Sequence, residues 1–306
     1  MLSSAVSSQV ELHAEYGGVV PEIASRQHVE AVIPILDEAL RTAGVSIDQI
    51  DAVAVTYGPG LAGALLVGVN FAKALAYDRG LPLLGINHLE GHIYAAWLDS
   101  GDEPEFPLLA LIVSGGHSDV VLVSGHGEYE RIGETVDDAA GEAFDKVARL
   151  LGLGFPGGPA IDSLASSVES PSLRLPRARL DRPYDFSFSG LKTKVLQITQ
   201  GADGDVPDRE ELAAAFQESV VDSLVTKAVK AATDNGARRI VLAGGVAANT
   251  LLRKDLVERS PLPVIVPPAP LCTDNGAMIA AAAHRRLAAG EHSNLDLDIE
   301  PGLKIG

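Results

Sequence analysis

The sequence predicts an α/β protein whose layers contain substantially parallel strands. Apolar runs of strand length alternate with segments of helical spacing, and glycine-rich turns fall where strands end and helices begin. With 46% apolar residues in 306 positions, the chain can also fill the cores such layers require.

Taken in order, PEIASRQHVEAVIPILDEALRTAG (21–44) sets Ile23, Val29, Ile33, Leu36 and Leu40 at helical spacing, with Pro34 expected to kink the helix and Gly44 to stop it. DAVAVTY reads as a buried strand, GPG (58–60) as a tight turn, and GALLVGVNFAKALAYDRG as the following helix. LPLLGI is a short strand leading into NHLEGHIYAAW (87–97), which reads as a helix. The composition shift at DSGDEPEFP (99–107) marks a boundary, after which PLLALIVSGGHSDVVLVSG reads as two strands around a glycine-rich turn. Then come a helix in DDAAGEAFDKVARLLG, an FPGGP loop opening another, and an irregular basic stretch, RLPRARLDRPYDFSFSGLKTK. A long helix over about 208–234 precedes the strand RRIVLAGG, the helix VAANTLLRKDLVE, the strand PVIVPP and the helix NGAMIAAAAHRRLAAG. No short fixed repeat is present, which argues against a solenoid.

Composition narrows the chemistry. Cys272 is the only cysteine, so an intramolecular disulfide and a thiolate-rich metal site are excluded, and any metal must use histidine and carboxylate. No apolar run reaches the length of a membrane helix, and MLSSAVSSQVELH lacks the regions of a signal peptide, which gives a cytoplasmic expectation by default. The net charge of −17 repels nucleic acid over most of the surface, so a nucleic-acid substrate needs a local basic patch or a partner. Arg174, Arg177, Arg179 and Arg182, with Lys192 and Lys194 downstream, form the one clear basic cluster.

His88 and His92 lie four apart, so both rings leave one face of a helix and can share a metal; a polar helix face is the competing reading. A peptidase needs its glutamate adjacent to the first histidine, whereas Glu90 sits two residues on, turned away. A third ligand must come from elsewhere. Asp274, in CTDNGAM at an expected strand-to-helix turn, is the candidate, with a helix N-cap as its alternative. Two histidines and a carboxylate suit ferrous iron or zinc. Gly115 and Gly116 in IVSGGHS lie between strands, where a ligand can approach backbone N–H groups. In FPGGPAID, Pro159 reads as the first helical residue and Asp162 as a member of the first turn; simple helix-start chemistry explains both equally well. LAGGVAANT puts two glycines between strand and helix, without a dinucleotide fingerprint or a Walker lysine.

Together GGVVPEIASRQH, TYGPGLAGALLVG, NHLEGH, LIVSGGHS, GETVDDAAGEAFDKVARLLGL, PGGP, FSFSGLKT, GGVAANTLLR and CTDNGAMIA resemble the TsaD family of tRNA threonylcarbamoyladenosine transferases, in family order over nearly the whole chain. The resemblance implies a two-lobed fold of the actin, Hsp70 and sugar-kinase (ASKHA) type, with residues 1–104 as a first lobe, 105–290 as a second whose last helix packs back towards the first, and 291–306 as a tail. It implies a divalent metal, iron(II) with zinc as the alternative, on His88, His92 and Asp274. It further implies threonylcarbamoyl-AMP bound by Ile112, Val113, Ser114, Gly115, Gly116, Asp145, Gly158, Asp162 and Asn249, the adenosine at position 37 of tRNAs reading codons that begin with A as acceptor, and TsaB-like and TsaE-like protein partners. The family normally opens with a strand and turn of the type GIETSCDET that this sequence does not show, leading to the expectation of an incomplete first lobe of low stability. A non-catalytic partner, a metallopeptidase and an ATPase or sugar kinase are the competing readings.

Overall fold

The computed structural model describes residues 1–98, 103–201 and 206–306, so the stretch 99–102 of the sequence boundary lies outside the described residues. The chain forms two compact units, Met1–Pro104 with Thr273–Ile305, and Glu105–Cys272 with Gly306. The stretch 273–290, read from sequence as the end of the second lobe with its last helix packing back towards the first, clusters with residues 1–104.

In the first unit, α1 (Val10–Ala14) and α2 (Pro21–Ala43) precede β1 (Val53–Gly58), α3 (Ala62–Arg79), β2 (Leu83–Asn87) and α4 (His88–Tyr94). Gly44 ends α2 with φ of 69°, a left-handed conformation that suits glycine, and the helix runs through Pro34 without interruption. β1 and β2 pair in parallel, Val53 opposite Leu83 through Thr56 opposite Ile86. Every residue of β2 is buried, whereas Val53 to Tyr57 are only half-buried, contrary to the buried strand the sequence predicts. The reason is positional: β2 is the only strand paired with β1 among the described residues. A groove of about 640 Å³ lies alongside, lined by Leu36, Leu40, Ala54, Tyr94 and Trp97 among others. Val29 and Ile33, expected to face inward, are 61% and 59% exposed one turn apart on α2.

The last helix of this unit, numbered α11 in chain order (Gly276–Ala288), packs Met278, Ile279, Ala282 and Ala283 with Leu84, Ile86 and Tyr94. That apolar face is why it joins the first unit. Residues 291–305 are tied down as well, since Ser293 N–H donates to Leu83 O and Glu300 N–H to Tyr57 O.

The second unit is a five-stranded sheet in the order β5-β4-β3-β6-β7, comprising β3 (Leu108–Val113), β4 (Ser118–Gly125), β5 (Glu128–Gly133), β6 (Ile240–Ala243) and β7 (Val264–Ile265). β3 is central, antiparallel to β4 and parallel to β6. Its unbroken LLALIV run is fully buried, as a strand covered on both faces requires. The helices are α5 (Ala140–Leu150), α6 (Gly157–Ala165), α7 (Ser189–Thr199), α8 (Arg209–Asp234), α9 (Thr250–Arg259) and the short α10 (Ala269–Cys272). One core joins Leu109, Leu111, Val113 and Val120 of the sheet to these helices, with Phe144 and Phe216 edge to face at 5.2 Å. α7 begins within the stretch read as irregular and runs five residues beyond it. Among the described residues no helix is long and apolar enough to cross a membrane.

Candidate metal centre and ligand-binding turns

Local sequence chemistry sets the metal site. Asn87 caps α4 by accepting from Leu89 N–H, which starts the helix at His88, so His88 and His92 fall one turn apart. Asn275 does the same for α11, accepting from Met278 N–H at 2.9 Å. Asn275, not Asp274, is therefore the cap, and the Asp274 carboxylate is left for other work. The turn also differs from expectation in following the short helix α10 instead of a strand.

His88 Nε2 lies 3.4 Å and His92 Nε2 3.3 Å from Asp274 Oδ1, and the two rings meet edge to face at 4.6 Å. Donor atoms of the three residues all fall within 4.8 Å of one another. His92 is 1% exposed, and neither ring nitrogen makes a hydrogen bond of ordinary geometry. Leaving such a group unsatisfied in a protein interior costs about 1–3 kcal/mol, which a cation on Nε2 would offset. Burial lowers the His92 pKa, opposed by Asp274, and so favours the neutral imidazole that metal ligation needs. Removal from solvent works to raise the Asp274 carboxyl, but His88 and His92 together hold it far below the usual carboxylate range. Its side chain remains open on one side, at 78% exposure. A buried neutral imidazole, a second imidazole and an ionised, accessible carboxylate make a donor set that fits a divalent cation.

Glu90 takes no part in this cluster. Its side chain is 2% exposed and accepts from Arg286 Nη2 at 2.6 Å and Nε at 3.2 Å. This bridge joins the helix carrying both histidines to the helix that follows Asp274. A Cβ on Gly91 would stand 2.7 Å from Ile279 Cδ1, so the two helices approach closely there. Sequence reasoning placed Glu90 off the metal face correctly but missed Arg286, which is 196 residues away.

In the second unit, the pairs Gly115 with Gly116 and Gly244 with Gly245 follow the carboxyl ends of the neighbouring parallel strands β3 and β6. Ile112 stands opposite Ala243, and a Cβ on Gly244 would lie 2.4 Å from Val113 O. Ile112 and Val113 are fully buried, backbone included, so they support the turn that follows them and expose no surface of their own. Ser114 N–H donates to His117 O, Ser114 Oγ accepts from His117 N–H, and Ser114 O accepts from Gly141 N–H. Gly115 and Gly116 are exposed, with open space where their side chains would be. Such a turn can present N–H groups to an anion.

Asp145 accepts from Gly157 N–H at 2.7 Å, tying α5 to α6, and burial raises its pKa. α6 begins at Gly157, two residues earlier than the sequence suggests, so Pro159 is its third residue and Asp162 lies in the second turn. Gly158 faces open space. Asp162 accepts from Thr250 Oγ1 at 2.8 Å and from Asn249 Nδ2 at 3.3 Å. Asn249 also donates to Gln217 Oε1 at 2.9 Å and caps α9 through Leu252 N–H. The structure thus brings Asp145 to the PGGP turn and Asp162 to Asn249. Gln217 and Thr250 were missed, although a single glutamine within the apolar AAAFQESVV was a signal for the first.

Comparison with known proteins adds independent findings. The family model for TsaD, tRNA N6-adenosine threonylcarbamoyltransferase, matches residues 1–281. The chain belongs to the TsaD family. It is 54% identical to the tRNA N6-adenosine threonylcarbamoyltransferase of Dehalococcoides mccartyi over 305 residues, covering all of this chain and 92% of that one. It is 55% identical over 311 residues to the enzyme of the same name from Symbiobacterium thermophilum, covering 91% of that chain. Among solved structures, full-length HypF in a phosphate- and nucleotide-bound form is similar with a TM-score of 0.64 at 17% identity, over 85% of this chain and 50% of HypF. That likeness concerns the fold, which is of the ASKHA type.

Proposed function

We propose that the protein transfers a threonylcarbamoyl group from threonylcarbamoyl-AMP to the N6 amine of the adenosine at position 37 in tRNAs that read codons beginning with A, releasing AMP. Full-length identity of 54% to a relative named for this transferase supports the reaction, and the observation that carries the site is the buried His92 ring with no hydrogen bond, beside His88 and Asp274. His88, His92 and Asp274 would hold one divalent cation, iron(II) in preference to zinc. When bound, such a cation supplies a Lewis acid for a carbonyl oxygen.

The remaining work belongs to residues of the second unit. The acyl-phosphate end of the adenylate lies at the turn that Ile112, Val113 and Ser114 lead into; Ser114 N–H is taken by His117 O, so the N–H groups of Gly115 and Gly116 are the ones offered. Gly158 leaves room for the nucleotide at the start of α6. Asp162, held by Thr250 and Asn249, and Asp145, held by Gly157, orient its hydroxyls, while Asn249 shapes the wall beside the base. TsaB-like and TsaE-like proteins act with the chain, and the exposed Val29 and Ile33 on α2 agree with a protein partner.

Preformed threonylcarbamoyl-AMP, unmodified tRNA and the chain with its partners, followed by nucleoside mass spectrometry, test the proposal. Modified adenosine should form with the parent and vanish for His92→Ala and Asp274→Ala. Undiminished modification by either variant overturns the metal-dependent reading. Proteolysis, or ATP turnover without metal, would favour the competing enzymes.

A further inference from the structure

The basic segment singled out in the sequence is an irregular strap across the second unit. Four arginines fall within the nine positions 174–182, in a chain with a net charge of −17. The strap is fixed from below by α8. Glu211 Oε1 accepts from the N–H groups of Ser172 and Leu173 at 2.6 and 2.8 Å and from the Ser172 hydroxyl at 2.8 Å. Arg174 pairs with both oxygens of Glu218 at 2.5 and 2.6 Å, and Arg177 Nη1 with Asp222 at 2.8 Å. Glu211, Glu218 and Asp222 follow an i, i+7, i+11 spacing, so they lie along one face of the helix. Leu175, 6% exposed, anchors the middle of the strap in the core.

This fastening leaves the arginines unequal. Arg182 is held more loosely, 3.5 Å from Asp185 and 3.8 Å from Glu134. Arg179 is exposed and makes no ion pair or hydrogen bond among the described residues. Arg174, Arg177 and Arg179 rim a polar hollow of about 480 Å³ whose lining includes Ala215 and Ser219. An acidic chain that acts on RNA needs a site where the phosphate backbone gains more from local cations than it loses to the overall charge. The strap is the candidate: it is exposed, its shape is set by the zipper to α8, and while Glu218 and Asp222 offset Arg174 and Arg177, it keeps Arg179, whose planar fork has no partner among the described residues.

We propose that residues 171–182 form a docking lip for the phosphodiester backbone of the RNA substrate, with Arg179 as the principal contact and Arg177 beside it. The inference rests on the transferase reading above. It places RNA contacts on a segment that carries none of the candidate metal or adenylate residues.

The test is fluorescence anisotropy of labelled, unmodified tRNA with the full-length protein from about 0.05 to about 0.2 M salt. One phosphate contact contributes about 0.9 to the slope of log K against log salt, or roughly five-fold in affinity near 0.15 M. Arg179→Ala should show both losses, the Arg177→Ala/Arg179→Ala double variant more, and Arg179→Lys should retain most of the slope. Arg41→Ala, which makes the same change of charge at a site paired with Glu38 on α2, should leave the slope unchanged. Since Arg179 has no partner to lose, its variants should melt with the parent. If both strap variants bind tRNA like the parent at every salt concentration while the parent modifies tRNA, the lip is refuted and the transferase reading stands. A parent that neither binds nor modifies tRNA overturns both.

Discussion

Arg286→Ala removes two donors from a carboxylate with almost no access to water. Glu90 is 2% exposed and Arg286 30%, so the pair is buried on one side and wet on the other. Breaking a buried pair by truncating one partner costs about 3–5 kcal/mol, and the solvent at Arg286 favours the lower end, about 3 kcal/mol. At roughly 2–4 °C per kcal/mol, the melting midpoint should fall by about 6–12 °C. The same bridge holds α4 against α11, and with them both histidines against Asp274, so cation affinity should weaken by about ten-fold or more. The assay is thermal unfolding by circular dichroism, paired with a calorimetric zinc titration of each protein. A Glu90→Gln/Arg286→Met double variant, which leaves no buried charge, should recover much of the midpoint. A single variant that melts with the parent and binds zinc as tightly would show that the bridge neither stabilises the unit nor positions the ligands.

Three further outcomes follow from the second unit. Gly141→Ala should raise the KM for threonylcarbamoyl-AMP, because the new Cβ would lie 2.6 Å from Ser114 O and push on the turn proposed to bind the adenylate, whereas Gly116→Ala, with open space around it, should leave the melt unchanged. Asn249→Ala should cost about 1–2 kcal/mol in urea unfolding, since it removes the cap of α9 and a donor to the buried Gln217; an unchanged midpoint would contradict this. Burial pushes Asp119 up to about 6 from 3.8, against the pull of Arg131. An acid whose folded pKa is raised stabilises the fold most when protonated, and that contribution is lost as pH rises from about 4 through about 6. Asp119→Asn should therefore be more stable than the parent near pH 8 by roughly 1–3 kcal/mol, with the difference shrinking towards pH 4. A pH-independent difference in urea unfolding would contradict the assignment.

How much of this was legible in the sequence depended on distance along the chain. The four-residue spacing of His88 and His92 fixes a shared helix face, and the place of Glu90 in the same turn excludes it from that face, so both readings needed only local geometry. Asp274 needed one more fact, that its neighbour Asn275 takes the capping role, and the two residues look equally able to cap. Arg286 was invisible because nothing local marks a partner 196 residues away. β1 was read as buried since VAVTY has the composition of an interior strand; its half-exposure reflects which strands lie beside it, which no period within the strand records. α7 was missed because SGLKTKVLQIT mixes polar residues into its apolar spacing, and only packing of Leu191, Val195 and Ile198 reveals its inner face. The glycine pairs were legible as turns, but which of them share a sheet edge became clear only from the pairing of β3 with β6.

Metal content measures the central claim most directly. The protein and its His88→Ala, His92→Ala and Asp274→Ala variants, each loaded with iron(II) under anaerobic conditions or with zinc and then desalted, can be analysed by inductively coupled plasma mass spectrometry beside circular dichroism spectra. The parent should retain about one equivalent of cation per chain, and each folded variant should lose it. Full retention by His92→Ala and Asp274→Ala would place the cation elsewhere and contradict the account.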